Sequence, residues 1–558
     1  MLAKQQRLQY CSERVDWPSR SFLLLLPFFI LITPFLVFLH HQAYGLFHWE
    51  VAIGMLGIGV IAALCSVGMM FGGFVGQNFI LFSLIMFFIN IQYQSIGQVT
   101  FGSMLVILGI LLLVLKEKVF PIATAVFATF FLVTFVQFGF SQDARAVEFR
   151  VQASAIESVP LPRIIHLILD EHIGIEGIPI DIPGGAELKT RLLQFYQQYG
   201  FLTFGGAYSH YFYTENSVSN LVNFSTSATH RQYYKEQDGP NKLLENRYFE
   251  SLSQTGYRLN VLWGHHIDYC SQSPVVIDHC IQIPANGLQL TQGVQMKTLD
   301  RVQLIFAAYL SRSSLYTHAK DSYLLYRDKL SGHGIALPEG SWDRHKVTTL
   351  PYLHALDRLW DTIVELPAGN VLFAHLLIPH SPYLTNADCS IETSIDEWKY
   401  QSLIFSRHAL SGHNQPNTAG SRAEHYQQYF KQVHCVYTRL EDLFERMQEA
   451  DMWENSIIII HGDHGSRIMR IYPTIQNEAQ LSEADMRDGF STLFAVKRPE
   501  QKGFYDSKAY PLEYLLQVNV LTYLSNTQEP VQQSSPYVYL KSEDPLDVDL
   551  KKVPYPIR

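Results

Sequence analysis

The chain has 558 residues, with 42 Lys and Arg against 51 Asp and Glu, a formal net charge of −9 and 47% hydrophobic residues. That length exceeds one ordinary domain, and a mild acidic balance without clustered Lys and Arg excludes a nucleic-acid-binding surface. Hydrophobicity is unevenly spread: Leu, Ile, Phe, Val and Met dominate residues 1–140, whereas 141–558 have the composition of a soluble protein.

Five apolar runs, about 21–40, 51–74, 78–94, 102–115 and 119–140, predict transmembrane helices, because backbone amides in a bilayer must be satisfied within the segment. Apolar character continues beyond the first run, so an anchor is expected rather than a cleaved signal peptide. Lys4, Arg7, Arg14 and Arg20 place a short tail, residues 1–20, in the cytoplasm, and Lys116 and Lys118 return to that side after four crossings. The loop 41–50 carries no Lys or Arg, as expected outside, and an odd number of spans exports everything after residue 140. Cys11 falls in the tail and Cys65 in a span, while Cys270, Cys280, Cys389 and Cys435 belong to the exported part. An oxidising compartment permits two disulfides, most simply Cys270–Cys280 and Cys389–Cys435, against the alternative of four buried thiols.

After a linker over 141–160, an exported domain is expected over 161–558. Arg163–Leu169 (RIIHLIL) has the run of β-branched residues typical of a buried parallel strand and ends abruptly in Asp170, Glu171 and His172. Helical spacing over 186–199 stops at Gly200, and a similar pattern over 241–255 precedes the strand-like Leu259–Trp263. Val371–Leu377, a long helix near 422–449, Ser456–Ile460 and Ser491–Val496 complete an α/β alternation, which predicts a mainly parallel sheet sandwiched by helices. In such sheets ligands bind beyond the carboxyl ends of the strands. Three strands here end in ionisable clusters: Asp170 to His172, His375 to His380, and Asp463-His464-Gly465. Carboxylates mixed with imidazoles suit Zn²⁺ or Mn²⁺, and carboxylates alone would suit Mg²⁺ or Ca²⁺. A hydroxyl is offered by Thr214, expected at a helix N-cap where the macrodipole favours an alkoxide, with Ser217 as its rival. His265 and His266 read as a polar loop.

The order ILDE (168–171), TENSVSNL (214–221), HLLIPHSPY (375–383) and GDHG (462–465) resembles the sulfatase-like branch of the alkaline-phosphatase superfamily. With five preceding spans it looks like the membrane-anchored phosphoethanolamine transferases of the lipid A type and the lipoteichoic acid synthases. That resemblance implies an alkaline-phosphatase-like domain facing the periplasm from a bacterial inner membrane. It implies Thr214 as nucleophile, and Glu171, Thr214, Asp463 and His464 as metal ligands, joined by Asp170. His380 would contact the phosphate or assist the leaving group, and His375 and Ser217 would lie against the substrate. The implied reaction moves a phosphoethanolamine- or phosphoglycerol-type head group from a membrane phospholipid to a glycan or lipid A-like acceptor. There are departures from the pattern: Asp170 stands where the transferases often have glycine, Ser219 where they have proline, and no histidine follows His464. Arg467 or Arg470 would then supply anion contacts. A membrane-bound sulfatase or phosphodiesterase is the alternative enzyme, and an inactive lipid- or partner-binding sensor the alternative from another class.

Overall fold

The computed structural model describes residues 17–93, 98–115, 118–140, 161–226, 233–235, 240–314 (except 265, 272, 285 and 286), 347–399, 417–525, 535–542 and 550–556, with 316, 319 and 322. The expected linker, most of the N-terminal tail and His265 lie outside these residues. The chain divides into two compact units, residues 1–146 with 296–344, and 147–295 with 345–558.

The first unit contains helices α1 (Trp17–His41), α2 (Trp49–Phe71), α3 (Gly73–Gln92), α4 (Gln98–Leu115) and α5 (Val119–Phe140). Among the described residues, four helices are long and apolar enough to cross a membrane: Ser21–His41, Trp49–Phe71, Gly73–Gln92 and Val119–Gln137. The apolar part of α4, Gly102–Leu115, is shorter. The α2–α3 boundary falls earlier than the apolar runs imply, at Gly72 and Gly73, where Gly73 takes a φ of +57° that favours glycine. A helix from the later sequence, Thr298–Leu310, also belongs to this unit. Its Phe306 stacks on Phe35 of α1 with ring centroids 5.6 Å apart, and Tyr309 meets the same ring edge-on at 5.3 Å. Arg301 Nη1 lies 3.9 Å from the buried Glu50, which also accepts from Tyr44 at 2.6 Å.

The second unit is built on eight strands: β1 (Arg163–Leu169), β2 (Leu202–Tyr208), β3 (Arg258–Trp263), β4 (His279–Gln282), β5 (Asn370–Leu376), β6 (Ser456–His461), β7 (Phe494–Lys497) and β8 (Phe504–Pro511). Their order across the sheet is β8-β2-β7-β6-β1-β5-β3-β4. Every neighbouring pair is parallel except those of β7, which runs antiparallel to β6 and β2. The sheet is therefore mixed but mostly parallel. Successive side chains alternate between faces, and both faces are covered. Ile165, Leu167 and Leu169 pack with Leu188 and Leu192 of α6 (Gly185–Gln198) and Tyr429 and Val433 of a long helix from Ala419 to Glu449. Ile164 and Ile168 pack with Tyr248 and Phe249 of Arg247–Gln254 and with Leu512 and Leu515. Burying each such side chain is worth roughly 1.5–3 kcal/mol, so the central strands are fixed from both sides.

Further helices of this unit include α7 (Thr214–Leu221), α8 (Arg247–Gln254), α9 (Leu350–Val364), α10 (Ala419–Glu449) and α11 (Glu483–Phe490). The helical pattern read over 241–255 resolves into a short strand, Asn241–Leu243, followed by α8. Asn246 starts that helix by accepting from the Phe249 amide at 2.9 Å. Both expected disulfides are formed, Cys270–Cys280 and Cys389–Cys435.

Candidate active site

Parallel register brings three loops to one edge of the sheet. Ile168 of β1 lies level with His375 of β5 on one side and with His461 of β6 on the other. The segments that follow these residues therefore leave the sheet side by side.

After β1 the chain turns sharply, with Glu171 at φ +63°. A non-glycine residue in this region costs roughly 1–3 kcal/mol, and its surroundings hold it there. The Glu171 amide donates to Asp463 Oδ1 at 3.1 Å, and its carbonyl accepts from Tyr429 at 2.9 Å. The turn allows the adjacent Asp170 and Glu171 side chains both to point inward, where each is at most 1% exposed.

Thr214 is the first residue of α7, one position inside the cap, which is Tyr213. Its hydroxyl lies 3.0 Å from His464 Nε2. Since His464 Nδ1 donates to the Gly465 carbonyl at 2.9 Å, Nε2 carries the lone pair and Thr214 donates to it. Ser217 is turned elsewhere: its hydroxyl donates to the Asp463 carbonyl at 2.5 Å and accepts from Ser209 at 2.9 Å. It holds the loop that carries Asp463.

His375 Nε2 lies 3.3 Å from Asp170 Oδ2, and its Nδ1 is 2.9 Å from the Tyr269 hydroxyl. His380 sits in a segment with cis bonds before Pro379 and Pro382. Gln432 of α10 donates to the Pro379 carbonyl at 3.1 Å and the His380 carbonyl at 3.0 Å. His380 Nδ1 donates to Ser381, leaving Nε2 3.4 Å from Glu171 Oε1.

The third loop needs its glycines. A Cβ on Gly462 would collide with the His172 carbonyl oxygen, and one on Gly465 with that of Asp488. Asp463 Oδ2 then lies 3.2 Å from His464 Nε2. Arg467, at φ +58°, also turns inward: Nη2 is 2.8 Å from His464 Nε2 and Nη1 3.7 Å from Glu171 Oε1. Phe212 and Tyr213 line its guanidinium at 5.1 and 5.6 Å. Arg470 is exposed. The His266 carbonyl accepts from the Asn241 amide at 2.8 Å, where the short strand Asn241–Leu243 begins.

Charge explains the state of these groups. Burial pushes the Glu171 carboxyl up to about 7, against the pull of His380 and Arg467. At Asp170 burial also opposes charge, but His380, His375 and His464 outweigh it and hold the carboxyl well below the usual range. Burial, reinforced by Arg467, lowers His464 and keeps its ring neutral. Asp170, Glu171 and Asp463 thus face a single guanidinium. A divalent cation held among these carboxylates would offset their charge. The donor atoms agree. Asp170 Oδ1, Glu171 Oε1, His375 Nε2 and Asp463 Oδ2 are buried without a hydrogen-bond partner. Two donor sets are mutually within 4.8 Å, Asp170-His375-Asp463 and Asp170-Glu171-His380. Buried polar groups are otherwise almost always paired, so orphaned donors on one point fit a metal.

Three supporting residues have no sequence motif. Tyr269 reaches His375 from the loop after β3. Tyr429 and Gln432 project from α10 onto the first and second loops. Only their helical spacing, three residues apart on one face, hints at a common target.

No family model matches the chain, and no curated protein matches it. Among solved structures, it is similar to the zinc complex of the C-terminal periplasmic domain of EptC from Escherichia coli, at 11% identity over 71% of this chain and 93% of that one, TM-score 0.37. A protein in the alkaline phosphatase superfamily from Vibrio parahaemolyticus is similar at 10% identity over 69% of this chain and 74% of that one, TM-score 0.37. So is the phosphonate monoester hydrolase of Agrobacterium radiobacter, at 10% identity over 68% and 80%, TM-score 0.38.

Proposed function

We propose that this chain is a membrane-anchored, metal-dependent phosphotransferase. It moves a phosphoethanolamine- or phosphoglycerol-type head group from a membrane phospholipid to a glycan or lipid A-like acceptor. Five spans, a cytoplasmic N-terminus and a periplasmic domain from about residue 161, in a bacterial inner membrane, complete this reading. The observation that carries it is Thr214: a hydroxyl at a helix start, 3.0 Å from a histidine lone pair and beside buried, unpartnered donor atoms.

A divalent ion, Zn²⁺ by the mixed oxygen and nitrogen donors, would be held by Glu171, Thr214, Asp463 and His464 with Asp170, lowering the hydroxyl pKa and neutralising phosphoryl charge. Thr214 Oγ attacks the phosphorus, its proton passing to solvent. The bond to the lipid oxygen breaks as the new O–P bond forms, and His380 Nε2 protonates the departing diacylglycerol alkoxide. Arg467 pairs with a non-bridging oxygen as it leaves His464. An acceptor hydroxyl then attacks the phospho-threonine in line, and its proton returns to His380 while Thr214 is released. Membrane helices suit a donor that resides in the bilayer. With water as the acceptor, the same site would make the chain a phosphodiesterase.

Intact mass of the full chain in detergent, after incubation with bacterial phospholipids, tests both. We expect an adduct of head-group mass on the wild type and none on Thr214→Ala. Turnover of a soluble diester by an unmodified, metal-loaded chain would instead establish the hydrolase.

A further inference from the structure

We propose that Lys541 is a specificity-determining residue that binds an anionic group on the acceptor, a phosphate or carboxylate outside the phosphodiester under attack. This rests on the transferase reading above and deepens it, since that reading leaves the charge of the acceptor open.

Lys541 ends a short strand, Tyr537–Lys541, paired antiparallel with Leu550–Pro554. Alternate residues of a strand share a face, and here Tyr537, Tyr539 and Lys541 meet the segment that leads into Thr214. Tyr537 stacks on His210 with ring centres 4.3 Å apart, and Tyr539 on Tyr211 at 5.3 Å. The Tyr539 amide donates to the His210 carbonyl at 2.8 Å, and the Lys541 carbonyl accepts from the Ile475 amide at 3.1 Å. With its strand fixed in this way, Lys541 Nζ stands 4.7 Å from the centre of the Tyr213 ring. Tyr213 immediately precedes Thr214, and the Arg467 guanidinium lies 5.6 Å from the same ring centre. One aromatic ring beside the nucleophile thus holds two cations.

Their charges are met differently. Arg467 faces Glu171 and His464. Lys541 is half-buried and pairs with no carboxylate among the described residues, although Lys551 on the neighbouring strand pairs with Glu478. An aromatic face attracts an ammonium but leaves its N–H groups to donate. A phosphoethanolamine- or phosphoglycerol-type head group brings a single phosphate, which Arg467 and the metal site would take. The anion left for Lys541 therefore belongs to the acceptor, a phosphorylated or acidic glycan rather than a neutral one.

The test is calorimetric titration of the Zn²⁺-loaded full chain in detergent with methylphosphonate and with alkane diphosphonates of graded length. A diphosphonate can set one end at the metal site and the other at Lys541. We expect the best of them to bind the wild type at least about 10-fold more tightly than methylphosphonate. That ratio should fall to about 3-fold or less in Lys541→Gln and recover in Lys541→Arg. Equal binding of both probes by the wild type, or an undiminished ratio in a folded Lys541→Gln, overturns the role of Lys541 and leaves the transferase reading standing. Should Lys541→Gln not fold, a wild-type ratio that does not shrink with added salt overturns it instead. Binding of neither probe overturns both readings.

Discussion

Thr214 and Ser217 are three residues apart on α7, and the structure gives their hydroxyls different work. Ser217 is committed to the Asp463 carbonyl, so Ser217→Ala should cost about 1–3 kcal/mol of stability by orphaning a buried acceptor. The phospho-adduct should persist in that variant; its loss in a folded protein would make Ser217 the nucleophile. A second buried residue predicts a pH effect away from the site. Burial pushes the Glu513 carboxyl up to about 8, and it faces His210 Nε2 at 4.0 Å, while His210 Nδ1 donates to the Tyr537 carbonyl at 2.7 Å. Because the folded value lies above the ordinary 4.5, the stability that Glu513 lends is complete below pH 4.5 and is lost as pH rises through 8. Glu513→Gln should therefore gain on the wild type across that window, by up to a few kcal/mol, since each tenfold change in proton affinity is worth about 1.4 kcal/mol. Thermal melts at pH 5 and pH 8.5 would show it; an equal difference at both would mean Glu513 is ionised throughout.

Among the elements, legibility followed burial. RIIHLIL and SIIIIH are continuous apolar runs because β1 and β6 are covered on both faces, and each was readable as a strand. β2, with the sequence LTFGGAY, was not, since paired glycines break the pattern where β8 packs close beside it. β8 itself, at the sheet edge, is partly exposed and mostly polar. The site was legible as strand ends: Asp170, Glu171, Asp463, His464, Thr214 and His380 were all named from motif order, and the structure brings them together. Tyr269 was invisible because its contact is set by tertiary folding of a loop. The long helix α10 carries much of this support, and it begins with a capping box in which Thr418 accepts from Ser421 at 3.1 Å. Thr418→Ala should cost about 1 kcal/mol, and hydrogen exchange should quicken in the first turn near Arg422 while Tyr429 and Gln432 stay protected. Faster exchange along the whole helix would show that the cap, rather than the buried face, sustains it.

For the molecule as a whole, composition separated an apolar part from a soluble one but could not show that Thr298–Leu310 belongs with the apolar helices. Its partner rings, Phe35 and Phe38, stand more than 250 positions earlier, and an amphipathic pattern does not name its partner. The cysteines were more informative, since both expected pairs are formed. Cys389–Cys435 ties the segment after the His380 loop to α10 across 46 residues. Opening it by Cys389→Ser with Cys435→Ser should cost about 4 kcal/mol in the loop-closure picture, measured by denaturant unfolding of the full chain. A loss under 1 kcal/mol would mean that the packing of α10 alone positions the loop. Cys435 lies one helical turn beyond Gln432, whose amide grips the Pro379 and His380 carbonyls between the two cis bonds. The grip on His380 and the covalent tie therefore share one stretch of helix. In a reducing environment the sheet can assemble while this corner stays loose, so a freshly made chain would be immature until its surroundings oxidise it. Oxidation would act as the last step of its assembly.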